Sequence, residues 1–129
     1  MNRTAIKEES FCLETEAGAV AIAMQNDTFR RAVLAGMPTK GMLVCTQGVL
    51  ALDIETYRDL LLSFALFTAF DEGNDPYGEH NFLAVKIKGE TYFAKIDYYA
   101  DETLTWGSED PGDPDQTYRV LTVMRACEY

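Results

Sequence analysis

Phe82-Leu83-Ala84-Val85-Lys86-Ile87-Lys88-Gly89-Glu90-Thr91-Tyr92-Phe93-Ala94-Lys95-Ile96-Asp97-Tyr98 is the stretch that decides the fold. In its first half Phe82, Ala84, Lys86 and Lys88 fall on one face and Leu83, Val85 and Ile87 on the other. In its second half Tyr92, Ala94, Ile96 and Tyr98 oppose Phe93, Lys95 and Asp97. A period of two marks strands, and Lys88-Gly89-Glu90 is turn chemistry, so the stretch predicts an antiparallel hairpin.

Downstream, Thr103–Trp106 reads as a short third strand and Gly107–Asp115, broken by prolines, as a loop. A final helix is expected from Asp115 or Thr117, because Val120, Leu121, Val123, Met124 and Cys127 recur at helical spacing. Upstream, Asp53 can cap a helix with Leu60, Leu61 and Phe64 on its inner face. Phe64–Phe70 alternates enough for a strand, with a longer helix as the alternative; Asp71–Gly78 is a loop. Met42–Thr46 reads as a buried strand. Glu16–Ala35 reads as a helix ended by Gly36 and Pro38, with Arg30 and Arg31 placed to suit its dipole. Residues 1–15 read as a short, loosely ordered polar arm or strand. The expectation is one α+β domain over residues 1–129, an antiparallel meander sheet of about four to five strands packed with two to three helices.

The chain has 129 residues, 47% of them apolar, enough for one core without a metal or disulfide staple. No run of about 18 apolar residues predicts a membrane span, and no apolar segment after the basic start predicts a signal peptide. Cys12, Cys45 and Cys127 are odd in number and far apart, which reads as reduced core thiols of a cytoplasmic protein. No cofactor is expected.

Acids outnumber bases 21 to 11, for a net charge of −10. Direct nucleic-acid binding through a basic patch is therefore not expected. Residues 1–70 carry 8 acids and 6 bases, whereas residues 71–129 carry 13 acids and 5 bases. Between Lys95 and Arg119 there is no base, but there are Asp97, Asp101, Glu102, Glu109, Asp110, Asp113 and Asp115; Asp71, Glu72, Asp75 and Glu79 stand nearby. The bland reading is a solvated surface with acidic turns. The sharper reading is an anionic face for a basic groove. On an extended segment of at most about 65 Å, seven acids are several-fold too sparse to imitate the roughly 40 phosphates of a matching duplex. Mimicry requires folding, or a homodimer, to gather the acids of both segments. Trp106 and Tyr99 are candidate aromatic anchors.

Candidate chemistry centres on His80, the only histidine. With Cys45 and Asp97 it could form a nucleophile site. With Asp75, Glu79 and Asp97 it could hold a divalent ion, and Glu79, His80 and Asp97 are the residues of an alternative metal-dependent enzyme. The structural reading is that Glu79 and His80 anchor the 74–80 turn to the sheet edge. Nucleotide and hydrolase fingerprints are missing. The lysines of the hairpin read as balancing nearby acids, and its aromatics as core and interface.

Four motifs carry a resemblance: Asn74-Asp75-Pro76-Tyr77-Gly78-Glu79-His80-Asn81-Phe82; Lys95-Ile96-Asp97-Tyr98-Tyr99; Gly107-Ser108-Glu109-Asp110-Pro111; and Arg119-Val120-Leu121-Thr122-Val123-Met124 with Glu128-Tyr129. In order, they resemble a family of short proteobacterial proteins catalogued as a domain of unknown function. Family members commonly carry a second histidine where Tyr77 stands, so a two-histidine metal site is not implied. The resemblance implies a bacterial, plasmid or phage setting. Small acidic proteins of that setting are similar in kind to anti-CRISPR and anti-restriction inhibitors, some of them DNA mimics. The expected function is non-enzymatic inhibition of a nucleic-acid-targeting defence complex, a CRISPR effector or restriction enzyme. A toxin-neutralising or other partner-binding module is the alternative.

Overall fold

The computed structural model describes residues 3–129, with side chains from Gly18 onward. Helix α1 (Arg3–Leu34) is followed by strand β1 (Gly41–Cys45), a one-turn helix α2 (Gln47–Leu50), helix α3 (Ile54–Ala65), then β2 (Phe82–Ile87), β3 (Glu90–Tyr99) and β4 (Tyr118–Arg125). Two 3-10 turns, Pro114–Gln116 and Ala126–Glu128, flank β4.

Local chemistry sets the boundaries. α1 stops where Gly36, at φ 73°, turns the chain into the left-handed region. The Gly36 and Met37 amides then donate back to Val33 and Ala32, which closes the helix end. Asp53 caps α3, its carboxylate accepting from the Thr56 amide (3.1 Å) and hydroxyl (2.7 Å). Those bonds hold it below the usual carboxylate range. Lys88 and Gly89 both adopt positive φ, 51° and 81°, as a two-residue hairpin turn demands.

The sheet order is β1-β4-β3-β2. β2, β3 and β4 form an antiparallel meander, but β1 pairs parallel with β4, Met42 opposite Val120 and Val44 opposite Thr122. The sheet is therefore mixed, not the expected all-antiparallel meander. The segment expected as a closing helix is β4, a central strand. Arg119, Val120, Leu121, Val123 and Met124 are buried on its two faces, so apolar residues run without alternation and mimic a helical spacing. α3 ends at Ala65, and the chain to Phe70 is irregular, neither strand nor longer helix. Thr103–Trp106 is no strand; one isolated bridge joins Tyr99 to Gly107. Helical backbone begins at Arg3, inside the stretch expected as an arm.

Phe29 of α1 and Leu60 and Phe64 of α3 pack against Leu83, Ala94, Ile96, Leu121 and Val123. The other sheet face carries Lys95 and Asp97, with Tyr129 edge-on to both Phe82 and Phe93, and these two rings tilted to each other 5.0 Å apart. Cys45 is half-buried and Cys127 exposed, both free, so only the first approaches the expected core thiol. The side chain of Cys12 lies outside the described residues. Among the described residues no helix is long and apolar enough to cross a membrane.

Gly41 marks the tightest approach: a Cβ there would collide with the Arg119 carbonyl oxygen and the Phe29 ring, whereas one at Gly18 would meet nothing within 4 Å. Gly41→Ala should destabilise the fold by about 1–3 kcal/mol. Gly18→Ala should be neutral or stabilise by up to about 1 kcal/mol. Urea denaturation of the two variants checks both signs.

Candidate functional site

Antiparallel pairing puts the start of β2, the end of β3 and the start of β4 at one end of the sheet. The two acidic loops, residues 66–81 and 100–117, therefore emerge together, and both close onto α1. Asn26, fully buried, is the joint. Its Nδ2 donates to the Glu79 carbonyl (2.8 Å) and the Tyr98 hydroxyl (2.8 Å), and its Oδ1 accepts from Arg119 Nε (2.7 Å). Arg119 Nη2 in turn donates to the Pro111 carbonyl (2.7 Å). Burial pushes the Tyr98 hydroxyl up to about 12, so it stays neutral. Burial also pulls the Arg119 guanidinium below its ordinary value.

One turn along α1, Arg30 is fully buried. It donates to the carbonyls of Phe64 (2.9 Å) and Phe67 (3.0 Å) and bridges Asp27 (2.8 Å). The sequence reading placed Arg30 near the helix end for the dipole; its guanidinium instead satisfies the end of α3 and the irregular chain after it.

His80 stacks on Phe70, centroids 3.8 Å apart and planes 2° from parallel. Its Nδ1 lies 3.0 Å from both Asp27 oxygens, and its backbone amide donates to Asp75, whose side chain is 6% exposed. His80 thus anchors its loop, but to α1 and not to the sheet edge. Glu79 anchors through its carbonyl. Its carboxyl is raised above the usual range, first by burial and then by the Asp75 charge.

The remaining acids divide by what their carboxylates do. Asp71 accepts from the Gly73 and Asn74 amides, Asp101 from Thr103, Asp110 from the Gly112 amide, and Asp113 from the Asp115 amide and Gln116 side chain. Asp97 points from the opposite sheet face and pairs with Lys95 at 3.3 Å. Glu72, Glu102, Glu109 and Asp115 are exposed, and their carboxylates make no hydrogen bond or ion pair among the described residues. Trp106 is 75% exposed, as befits an anchor; Tyr99 is half-buried beside Tyr118. Tyr77, 80% exposed, is a second exposed aromatic that the sequence reading did not single out.

The catalytic sets drawn from sequence do not assemble. Cys45 lies in β1, the edge strand across the sheet from β2, into which His80 leads; it is 3.8 Å from the Tyr57 hydroxyl, and burial raises its thiol. Asp97 faces away from His80. Among the described residues no group of three or more histidines, cysteines and carboxylates is placed to hold a metal ion. The partners His80 does have, Asp27 and Asp75, include one the sequence reading missed. Asp27's neighbours Asn26 and Arg30 did carry a signal, since they fall three and seven residues after buried Ala23, at helical spacing on the buried side of α1.

Residues 45–128 match the family model described as a protein of unknown function, DUF3768. The chain belongs to the DUF3768 family. No curated protein and no solved structure matches it. The DUF3768 match spans both acidic loops and β2 to β4, while α1, with Asn26, Asp27 and Arg30, precedes it.

Removing the joint strands several buried groups at once. Asn26→Ala should cost about 2–4 kcal/mol in chemical denaturation, since Arg119 Nε and the Glu79 carbonyl lose their partner. Glu79 tests the electrostatics. Its carboxyl holds a proton more tightly folded than unfolded, so folding stability falls as pH rises through its titration. Glu79→Gln should melt higher than the parent at neutral pH, and the gap should close in acid where the parent group is protonated. Melting curves across pH read both.

Proposed function

We propose that this DUF3768 domain is a non-enzymatic binding protein that presents the acidic end of its sheet to a cationic nucleic-acid-binding cleft of a partner. The partner class is a bacterial defence complex of the CRISPR-effector or restriction-enzyme kind. The observation that carries the reading is topological. One end of the sheet gathers two loops separated in sequence by the whole β2–β3 hairpin, and one buried asparagine ties their roots together. That gathering is what an acidic segment too sparse by itself needs in order to resemble a run of phosphates.

Neutralisation is slight. Of the ten acids of these two loops, none is bridged by a lysine or arginine among the described residues; in the strand between them Asp97 pairs with Lys95 and Glu90 with Arg125. Of the nearby cations, Arg119 and Arg30 are buried, and the exposed Lys40 sits at the edge of the second loop, donating to the Pro114 and Asp115 carbonyls (3.1 and 2.9 Å). Exposed Trp106 and Tyr77 on the same loops offer aromatic area for a protein interface.

The test reverses only carboxylates that the fold does not use. Glu72→Lys, Glu102→Lys and Glu109→Lys together should leave the melting temperature near that of the parent. They should abolish inhibition of DNA cleavage by the host's CRISPR effectors and restriction enzymes. The parent's inhibition should weaken steeply as salt rises. Inhibition unchanged in the folded triple variant would refute the proposal, as would a parent that inhibits none of these enzymes.

A further inference from the structure

A cleft of about 480 Å³ lies behind the 107–117 loop, between α1 and the chain around Pro38 and Lys40. Met24, Phe29, Ala32, Pro38 and Pro114 give it apolar walls, and two polar groups in its lining are incompletely satisfied. Arg119 is 5% exposed and has no carboxylate within bridging distance among the described residues. Only its Nε–H and one Nη2–H have partners, Asn26 and Pro111, so three of its five N–H groups, both on Nη1 among them, remain without one. Gln25 donates from Nε2 to the Gly112 carbonyl at 2.6 Å, which fixes the amide's orientation, and its buried Oε1 accepts nothing.

Both groups line this cleft, and they hold consecutive carbonyls of its wall, Pro111 and Gly112. An unpaired guanidinium in one cleft with an unpaired acceptor is complementary to an anion that carries an N–H close by. We infer that the cleft binds a small apolar carboxylic acid with an amide N–H next to its carboxylate, of the N-acyl amino acid class. The carboxylate takes the free N–H groups of Arg119, the N–H donates to Gln25 Oε1, and the apolar body lies against Met24, Phe29 and Ala32. Lys40 at the rim adds positive potential. The site is independent of the acidic loops' outer surface: it selects an anion, where that surface would select cations.

N-acetyl-L-phenylalanine, titrated into the full chain by calorimetry and amide NMR, is the probe. Saturable binding is expected, with shifts at Gln25, Thr28 and the Arg119 side-chain N–H. N-acetyl-L-phenylalaninamide, which lacks the negative charge, should bind at least about tenfold more weakly. Thr28→Trp, at an exposed position lining the cleft, should keep the fold and lose binding. The inference is overturned by no saturable binding to the parent, by equal binding of the amide, or by undiminished binding in folded Thr28→Trp. A pentapeptide ending in phenylalanine that binds more tightly than the N-acetyl amino acid would overturn the small-molecule assignment in favour of a protein C-terminus.

Discussion

The fold of this end of the molecule depends on satisfying one buried amide. Asn26 uses its donors on Glu79 and Tyr98 and its acceptor on Arg119, and each partner belongs to a different segment. Buried polar groups are tolerated only when paired. The loops before β2 and after β3 can therefore settle in few arrangements that leave nothing stranded. Arg119, drawn inward by Asn26 and Pro111 and set over the Tyr98 ring at 5.3 Å, is the second constraint. Arg30 repeats the device for the chain after α3, with Phe70 5.6 Å beneath it. Two guanidiniums thus take over carbonyls that secondary structure would otherwise pair.

This arrangement sorts charge by depth. Arg30 and Arg119 are inside, aimed at carbonyls and ring faces, and Asp75 is nearly buried too, while Glu72, Glu102, Glu109 and Asp115 stay exposed. The negative charge of this end is that of its own carboxylates, ten in the two loops, while the guanidiniums of Arg30 and Arg119 are turned inward and not presented at the surface. The hairpin end carries Lys86 and Lys88, the latter donating to Thr56, so the molecule is also polar along its strands.

What was legible in the sequence was local. The Lys88-Gly89 turn, the Asp53 cap and the Gly36 stop are each set by one or two residues, and the structure has all three. β4 was illegible for a non-local reason. A strand covered on both faces and both edges needs no alternation: Leu121 and Val123 face the helices, while Val120 and Met124 are buried on the other face. The parallel β1–β4 pair spans the whole length between them and leaves no turn signature. Asp27, the partner of His80, lies 53 residues away from it, and nothing near His80 announces that contact. The acids themselves were plain, and so was the need for a fold to gather them; which ones remain free of the fold was not.

That last division limits what the acidic end can offer a partner. Asp71, Asp101, Asp110 and Asp113 turn their carboxylates onto amides of their own loops, so their charge is present but their lone pairs are partly used. Glu72, Glu102, Glu109 and Asp115 keep theirs. The first group stiffens the loops that display the second. A stiff display loses less conformational entropy on docking than a mobile one carrying the same charge. An acidic tail of equal composition would attract a cationic cleft from a distance just as well, but would spend more of that attraction on ordering itself. In the proposed docking, a few free carboxylates on loops fixed by Asn26, Arg119 and His80 would let a modest charge count act at a defined register.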